Sequence, residues 1–149
     1  MPLDRKHKAQ KLTFFKPDLQ SELKISYVSQ GVSAGFPSPA LDFLETTIDL
    51  NKALIEDPET TFYIKAEGHS MIDAGINDKD ILIVDRSLEP ADKKIAICFI
   101  DGEFTVKRLK LEKDGLYLMP ENQAYKPIKI SEENNFMIWG IVTYVIKKI

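Results

Sequence analysis

From Thr60 to the C-terminus the chain is a succession of short apolar runs separated by turn residues, and this spacing limits its possible folds more than any other feature. Seven runs rich in Ile, Val, Phe and Tyr are predicted as strands: Thr61–Ala66, Asp80–Asp85, Lys94–Ile100, Glu103–Leu111, Gly115–Met119, Lys126–Ile130 and Trp139–Ile146. Asn77-Asp78 and Asp101-Gly102 lie between them, and Asp-Gly between two apolar runs is a strong hairpin signal. Seven short strands with no long helix between them predict a mostly β fold, compact and mainly antiparallel.

The first part of the chain reads differently. Basic residues cluster at Arg5, Lys6, Lys8, Lys11 and Lys16, with Pro2 and Pro17 interspersed and no sustained apolar period. Residues 1–31 are therefore expected to be an extended N-terminal arm, at most locally ordered; a basic tail without a role is the competing reading. Val32-Ser33-Ala34-Gly35-Phe36-Pro37-Ser38-Pro39 favours extended, exposed backbone. One or two short helices follow. Pro39–Glu45 has Ser38 as its N-cap and Pro39 at the first helical position. The second starts after Asp49, covers Lys52–Glu56 and is ended by Asp57-Pro58.

Several function classes are disfavoured. A net charge of −3 is a poor electrostatic footprint for gripping nucleic acid, so little direct DNA binding is expected. The longest apolar run, Ile95–Ile100, is far too short to span a bilayer. Cys98 is the only cysteine, which fits a reducing compartment, and a cytoplasmic location is expected. Two histidines and one cysteine provide no zinc cluster, and the glycine patterns that cradle phosphates are absent, so no metal and no cofactor is expected.

The same elimination narrows the catalytic options. His69 is adjacent to Ser70, and neighbouring side chains point apart, which disfavours a Ser-His-Asp triad. Ser70 follows a predicted strand and precedes polar turn residues, a position where a hydroxyl can project beside converging backbone N–H groups. On that evidence alone, a turn serine bonding its own backbone is the simpler reading. Lys107 lies between apolar positions in Phe104-Thr105-Val106-Lys107-Arg108-Leu109, and a solvent-facing strand lysine is the simpler reading there. A lysine buried without an acidic partner would instead have a lowered pKa and could take a proton from a serine without any histidine.

Three ordered blocks together resemble the LexA/UmuD family of self-cleaving Ser–Lys peptidases. The first is Gly68-His69-Ser70-Met71 followed by Asp73-Ala74-Gly75-Ile76 and by Asp78-Lys79-Asp80-Ile81-Leu82-Ile83-Val84-Asp85. The second is Asp101-Gly102-Glu103-Phe104-Thr105-Val106-Lys107-Arg108-Leu109, similar to the strand that carries the family's lysine. The third is Met119-Pro120-Glu121-Asn122 with Tyr125-Lys126-Pro127-Ile128. The blocks keep the family order and cover the chain from about Gly35 to Ile146. His69 departs from the acidic residue that the family often has before its serine.

The resemblance implies a LexA-like β domain with Ser70 as nucleophile, Lys107 as general base, and the backbone N–H groups of His69 and Ser70 as the oxyanion hole. It implies self-cleavage between Ala34 and Gly35, which divides the chain into an arm (1–34) and a peptidase and dimerisation domain (35–149). The arm is too short for a helix-turn-helix domain, which favours the branch of the family that acts in the SOS response over a repressor. The partners implied are a RecA–single-stranded DNA filament that stimulates the cut, a second copy in a homodimer, and a UmuC-type translesion DNA polymerase that the trimmed form joins. The alternatives are a non-catalytic β interaction module, a relative of a phage-repressor C-terminal domain, and a signal-peptidase relative lacking a membrane anchor.

Overall fold

The computed structural model describes residues 11–20, 24–28 and 44–149. Among them are ten strands: β1 (Lys11–Phe15), β2 (Lys24–Val28), β3 (Leu44–Asp49), β4 (Thr61–Glu67), β5 (Ile81–Asp85), β6 (Ile95–Ile100), β7 (Glu103–Glu112), β8 (Gly115–Met119), β9 (Ile128–Lys129) and β10 (Phe136–Ile146). Eight of them form one curled sheet in the order β1-β4-β5-β10-β6-β7-β8-β9, antiparallel at every pairing. β2 and β3 form a separate antiparallel pair. The mostly β expectation holds.

Local chemistry explains the best-defined turn. Asp101 and Gly102 both have positive φ, 48° and 88°, the pair of values that a two-residue hairpin turn requires. The turn sets Ile100 opposite Glu103 and Phe99 opposite Phe104. It thereby fixes the register that carries Lys107 to a place across from Ala96.

The uninterrupted apolar run of β6 is explained by burial on both faces. Ile97 joins one cluster with Ile64, Ala66, Met71, Leu82, Val84 and Val106. Ala96 and Cys98 join another with Leu109, Leu118 and Ile141 on the opposite face. The sheet curls enough for Phe14 of β1 to meet β7: its ring lies edge-on to Phe104 at 5.0 Å and stacks on Trp139 at 4.9 Å.

Four expectations need correction. The arm is not merely an unpatterned tail, because Lys11–Phe15 pairs with β4 along its full length and Lys24–Val28 pairs with β3. Each strand has five residues, too few to display a period, and each is fixed by a partner distant in sequence. The helix expected over Pro39–Glu45 does not include its last two positions, since Leu44 and Glu45 open β3; residues 39–43 lie outside the described residues. The β-branched run Thr46-Thr47-Ile48 and its pairing with β2 favour extended backbone there. The second helix, α1, forms over Leu50–Leu54 with Asp49 as its N-cap, the carboxylate accepting from the Asn51 N–H at 3.0 Å. It stops two residues short of the expected end. The strand expected over Lys126–Ile130 shrinks to two residues, Pro127 having no N–H to give. No helix among the described residues is long and apolar enough to cross a membrane.

Gly140 marks a close approach in the sheet. It sits at the register shift between Ile138 and Gly140 in β10, where an added Cβ would lie 2.6 Å from Val84 Cγ1. Val84 is fully buried and β-branched, so it has no room to turn away. Gly140→Ala is expected to cost about 1–3 kcal/mol of unfolding free energy by urea titration. An unchanged midpoint would show that the core yields at this point.

Candidate active site

Ser70 lies between β4 and a 3₁₀ turn over Ile72–Ala74. The chain leaves β4 through Gly68, whose φ of 116° disfavours a side chain, and the 3₁₀ turn closes on Gly75 with φ 80°. On one side of Ser70 the His69 side chain is exposed; on the other, Met71 is buried in the core with Ile64, Ile76 and Leu82. Met71 therefore pins the serine loop to the sheet while Ser70 itself is only 4% exposed.

Lys107 is 6% exposed and shares a face of β7 with Thr105, two residues away. Its Nζ donates to Thr105 Oγ1 at 2.5 Å, to the Val106 carbonyl at 3.0 Å and to Ser70 Oγ at 3.2 Å. The structure thus brings Ser70 and Lys107 together from positions 37 residues apart. Across the ladder, Ala96 is small enough to leave the lysine room.

The electrostatics of this pocket follow from burial. Loss of solvation lowers the Lys107 pKa from its ordinary 10.5 to about 8, and no carboxylate among the described residues acts on it. Among the described residues, the one opposing charge would be the Cys98 thiolate. Burial pushes the Cys98 thiol up to about 12, so it stays neutral over the range in which Lys107 titrates. Cys98 is a buried free thiol in the core, as its apolar strand suggested.

A second segment holds the serine loop from behind. The Glu121 N–H donates to the Ser70 carbonyl at 2.8 Å, and the Asp73 N–H donates to the Glu121 carbonyl at 2.8 Å. Asn122 Nδ2 donates to the His69 carbonyl at 2.8 Å. The Glu121 carboxylate forms an ion pair with Arg108, the residue after Lys107. Serine loop, Glu121-Asn122 and β7 are thereby linked into one frame.

Thr105, Met71 and Glu121-Asn122 stood in the blocks quoted above but were given no role from the sequence. Thr105 was readable, since alternation along a strand places it on the face of Lys107. The clamp that Glu121-Asn122 forms was not readable, because it is made largely of backbone groups that every residue carries. Ala34 and Gly35 lie outside the described residues; the segment that contains them joins β2 to β3, which pair with each other.

The family model described as Peptidase S24-like matches residues 26–143, a span that includes Ser70 and Lys107. The chain is 43% identical over 121 residues to Protein ImpA of Escherichia coli, covering 77% of this chain and 78% of that protein. It is 39% identical over 121 residues to Protein MucA of Escherichia coli, covering 80% and 82%. It is 38% identical over 116 residues to the LexA repressor of Alcanivorax borkumensis, covering 78% of this chain and 56% of the repressor. On the family match and these relatives, the chain belongs to the S24-like peptidase family, on its UmuD-like side.

Proposed function

We propose that this chain is a serine endopeptidase that cuts itself once, between Ala34 and Gly35. The observation that carries this reading is a serine hydroxyl and a lysine amine 3.2 Å apart, both buried, with no carboxylate among the described residues acting on the lysine. Neutral Lys107 takes the proton from Ser70 Oγ as that oxygen attacks the Ala34 carbonyl carbon. The N–H groups of His69 and Ser70 stabilise the oxyanion. The tetrahedral intermediate collapses with loss of the Gly35 nitrogen, which receives the proton from the Lys107 ammonium. Water then attacks the Ala34 ester, Lys107 taking its proton, and the Ala34 acid and the Ser70 hydroxyl are released.

Ala34 suits a narrow pocket, and Gly35 lets the backbone enter a tight cleft. The cut divides the chain into the arm, 1–34, and the domain, 35–149. Incubating the purified protein at alkaline pH tests the reading: mass spectrometry and N-terminal sequencing are expected to give one product starting at Gly35. An intact chain at every pH sinks the peptidase reading; a different start sinks the cleavage site alone.

The cutting rate is expected to depend on pH with a defined sign. Only neutral Lys107 accepts a proton, so the rate rises as pH climbs through about 8 and then levels off. At pH 7 about a tenth of the lysine is neutral, so the rate there is about tenfold below the plateau. A flat profile from pH 6 to 10 with the fold intact excludes a titrating lysine base.

The family resemblance supplies the wider setting. In it, a RecA–single-stranded DNA filament stimulates the cut in the cytoplasm during the SOS response. The trimmed form is a homodimer that serves as a subunit of a UmuC-type translesion DNA polymerase. Ile81 and Ile146, paired across β5 and β10 and both exposed, favour the homodimer by offering an apolar patch for a second copy. Light scattering tests the dimer, and cleavage at neutral pH with and without a RecA filament tests the stimulation.

A further inference from the structure

We infer that Asn122 is a positioning residue for the self-cleavage reaction, holding the His69–Ser70 peptide so that the Ser70 hydroxyl and N–H face the scissile carbonyl; this rests on the peptidase reading.

In a trans peptide the C=O and the following N–H point in opposite directions. Fixing the His69 carbonyl therefore aims the Ser70 N–H, and fixing the Ser70 carbonyl aims the Met71 N–H. Both carbonyls are held, by two consecutive residues of one segment: Asn122 Nδ2 takes the first at 2.8 Å and the Glu121 N–H takes the second at 2.8 Å. The Ile72 N–H also reaches the His69 carbonyl, at a longer 3.4 Å. The Asn122 side chain is the shorter and firmer of the two holds on that carbonyl.

The Asn122 amide cannot turn to present its oxygen instead. Its Oδ1 already accepts from the Ala124 N–H at 2.9 Å, while the Asn122 carbonyl accepts from the Tyr125 N–H at 3.0 Å. Both ends of the amide are assigned, and the donor end is the one directed at His69. Of the two holds, this one belongs to a side chain and so can be removed by substitution without altering a ladder.

The consequence is specific to the reaction. Ser70 Oγ and Lys107 Nζ come from separate elements, and the segment holding Ser70 is tied to β7 by the Arg108–Glu121 ion pair. Loss of the Asn122 bond leaves that tie and the Lys107 pocket in place. It leaves only the longer Ile72 contact on the His69 carbonyl and so loosens the peptide whose N–H faces the oxyanion, and small misplacements of a nucleophile are costly in rate.

The test compares the full-length protein with Asn122→Ala and Asn122→Leu across pH 6 to 10. Leucine keeps the size of asparagine but has no proton to donate and adds no charge near Lys107. Both variants are expected to cut about 10- to 100-fold more slowly on the plateau, with the midpoint pH unchanged. Their melting temperatures are expected to stay within a few degrees of the parent. A plateau rate equal to that of the parent overturns the assignment. So does a slow variant whose midpoint moves up towards that of an ordinary lysine, since that would mean the side chain only seals the Lys107 pocket. A parent chain that never cuts overturns the peptidase reading and this assignment with it; a cutting parent beside an equally fast Asn122→Ala overturns this assignment alone.

Discussion

Ser70→Ala is expected to abolish cutting at Ala34–Gly35 while leaving the domain folded. The substitution removes a single oxygen from a site that is 4% exposed. Lys107 Nζ keeps its bonds to Thr105 Oγ1 and to the Val106 carbonyl, so the buried amine is not left without partners. Met71 stays in the core, and the Glu121 hold on the residue-70 carbonyl is a backbone contact that alanine retains. The loss of reaction is much larger than any structural effect, because no other hydroxyl is set against the lysine from the serine loop. Deleting the nucleophile of a serine peptidase site costs on the order of 10⁶ in rate. Gel analysis over days at pH 9, beside circular dichroism, checks both halves. Continued cutting by the folded variant would remove Ser70 from the mechanism. Ser70→Cys, which restores a nucleophile, is expected to recover part of the rate.

Particular residues show which parts of this fold were legible in the sequence. Asp101-Gly102 was legible because a turn needing two positive φ values selects its residues locally. The run Ile95–Ile100 was legible because burial on both faces leaves no polar position. Asp49 was legible as the residue after which a helix starts, because a carboxylate there can accept from an N–H of the first turn. β1 was not, since its partner β4 lies about fifty residues downstream and only the curl of the sheet gives Phe14 its contacts with Trp139 and Phe104. At the site, Ser70 and Lys107 stood out only as parts of an ordered set of blocks, each being unremarkable alone. Their approach to 3.2 Å depends on the β6–β7 register and on Glu121 holding the serine loop, and neither is written in the residues themselves.

Lys107→Met is expected to abolish cleavage and to change the pH dependence of stability in a way that identifies the cost of burying this amine. Methionine is close to lysine in length and is apolar, so it fills the space across from Ala96 without a charge to desolvate. The folded pKa of Lys107, about 8, lies below its ordinary 10.5. Below pH 8 both folded and unfolded chains carry the charged amine, and the folded state bears the full desolvation penalty. Between 8 and 10.5 the unfolded chain binds the extra proton, so the lysine protein gains stability as pH rises; above 10.5 both states are neutral and the penalty is gone. The difference amounts to about 3 kcal/mol. Lys107→Met lacks this term at every pH. The stability of the methionine variant minus that of its parent is therefore expected to fall by about 3 kcal/mol between pH 7 and 10.5, whatever constant offset the lost bonds to Thr105 Oγ1 and the Val106 carbonyl contribute. Urea unfolding of Ser70→Ala and Ser70→Ala/Lys107→Met at several pH values measures this without interference from the cut, and other groups that titrate in the range cancel in the difference. A gap that stays constant with pH would mean that Lys107 titrates as an ordinary exposed lysine, and the base would have to be sought elsewhere. Lys107→Arg supplies the complementary result in an otherwise unchanged chain. It keeps a cation but cannot give up its proton in a protein, so it is expected to be as inactive as methionine.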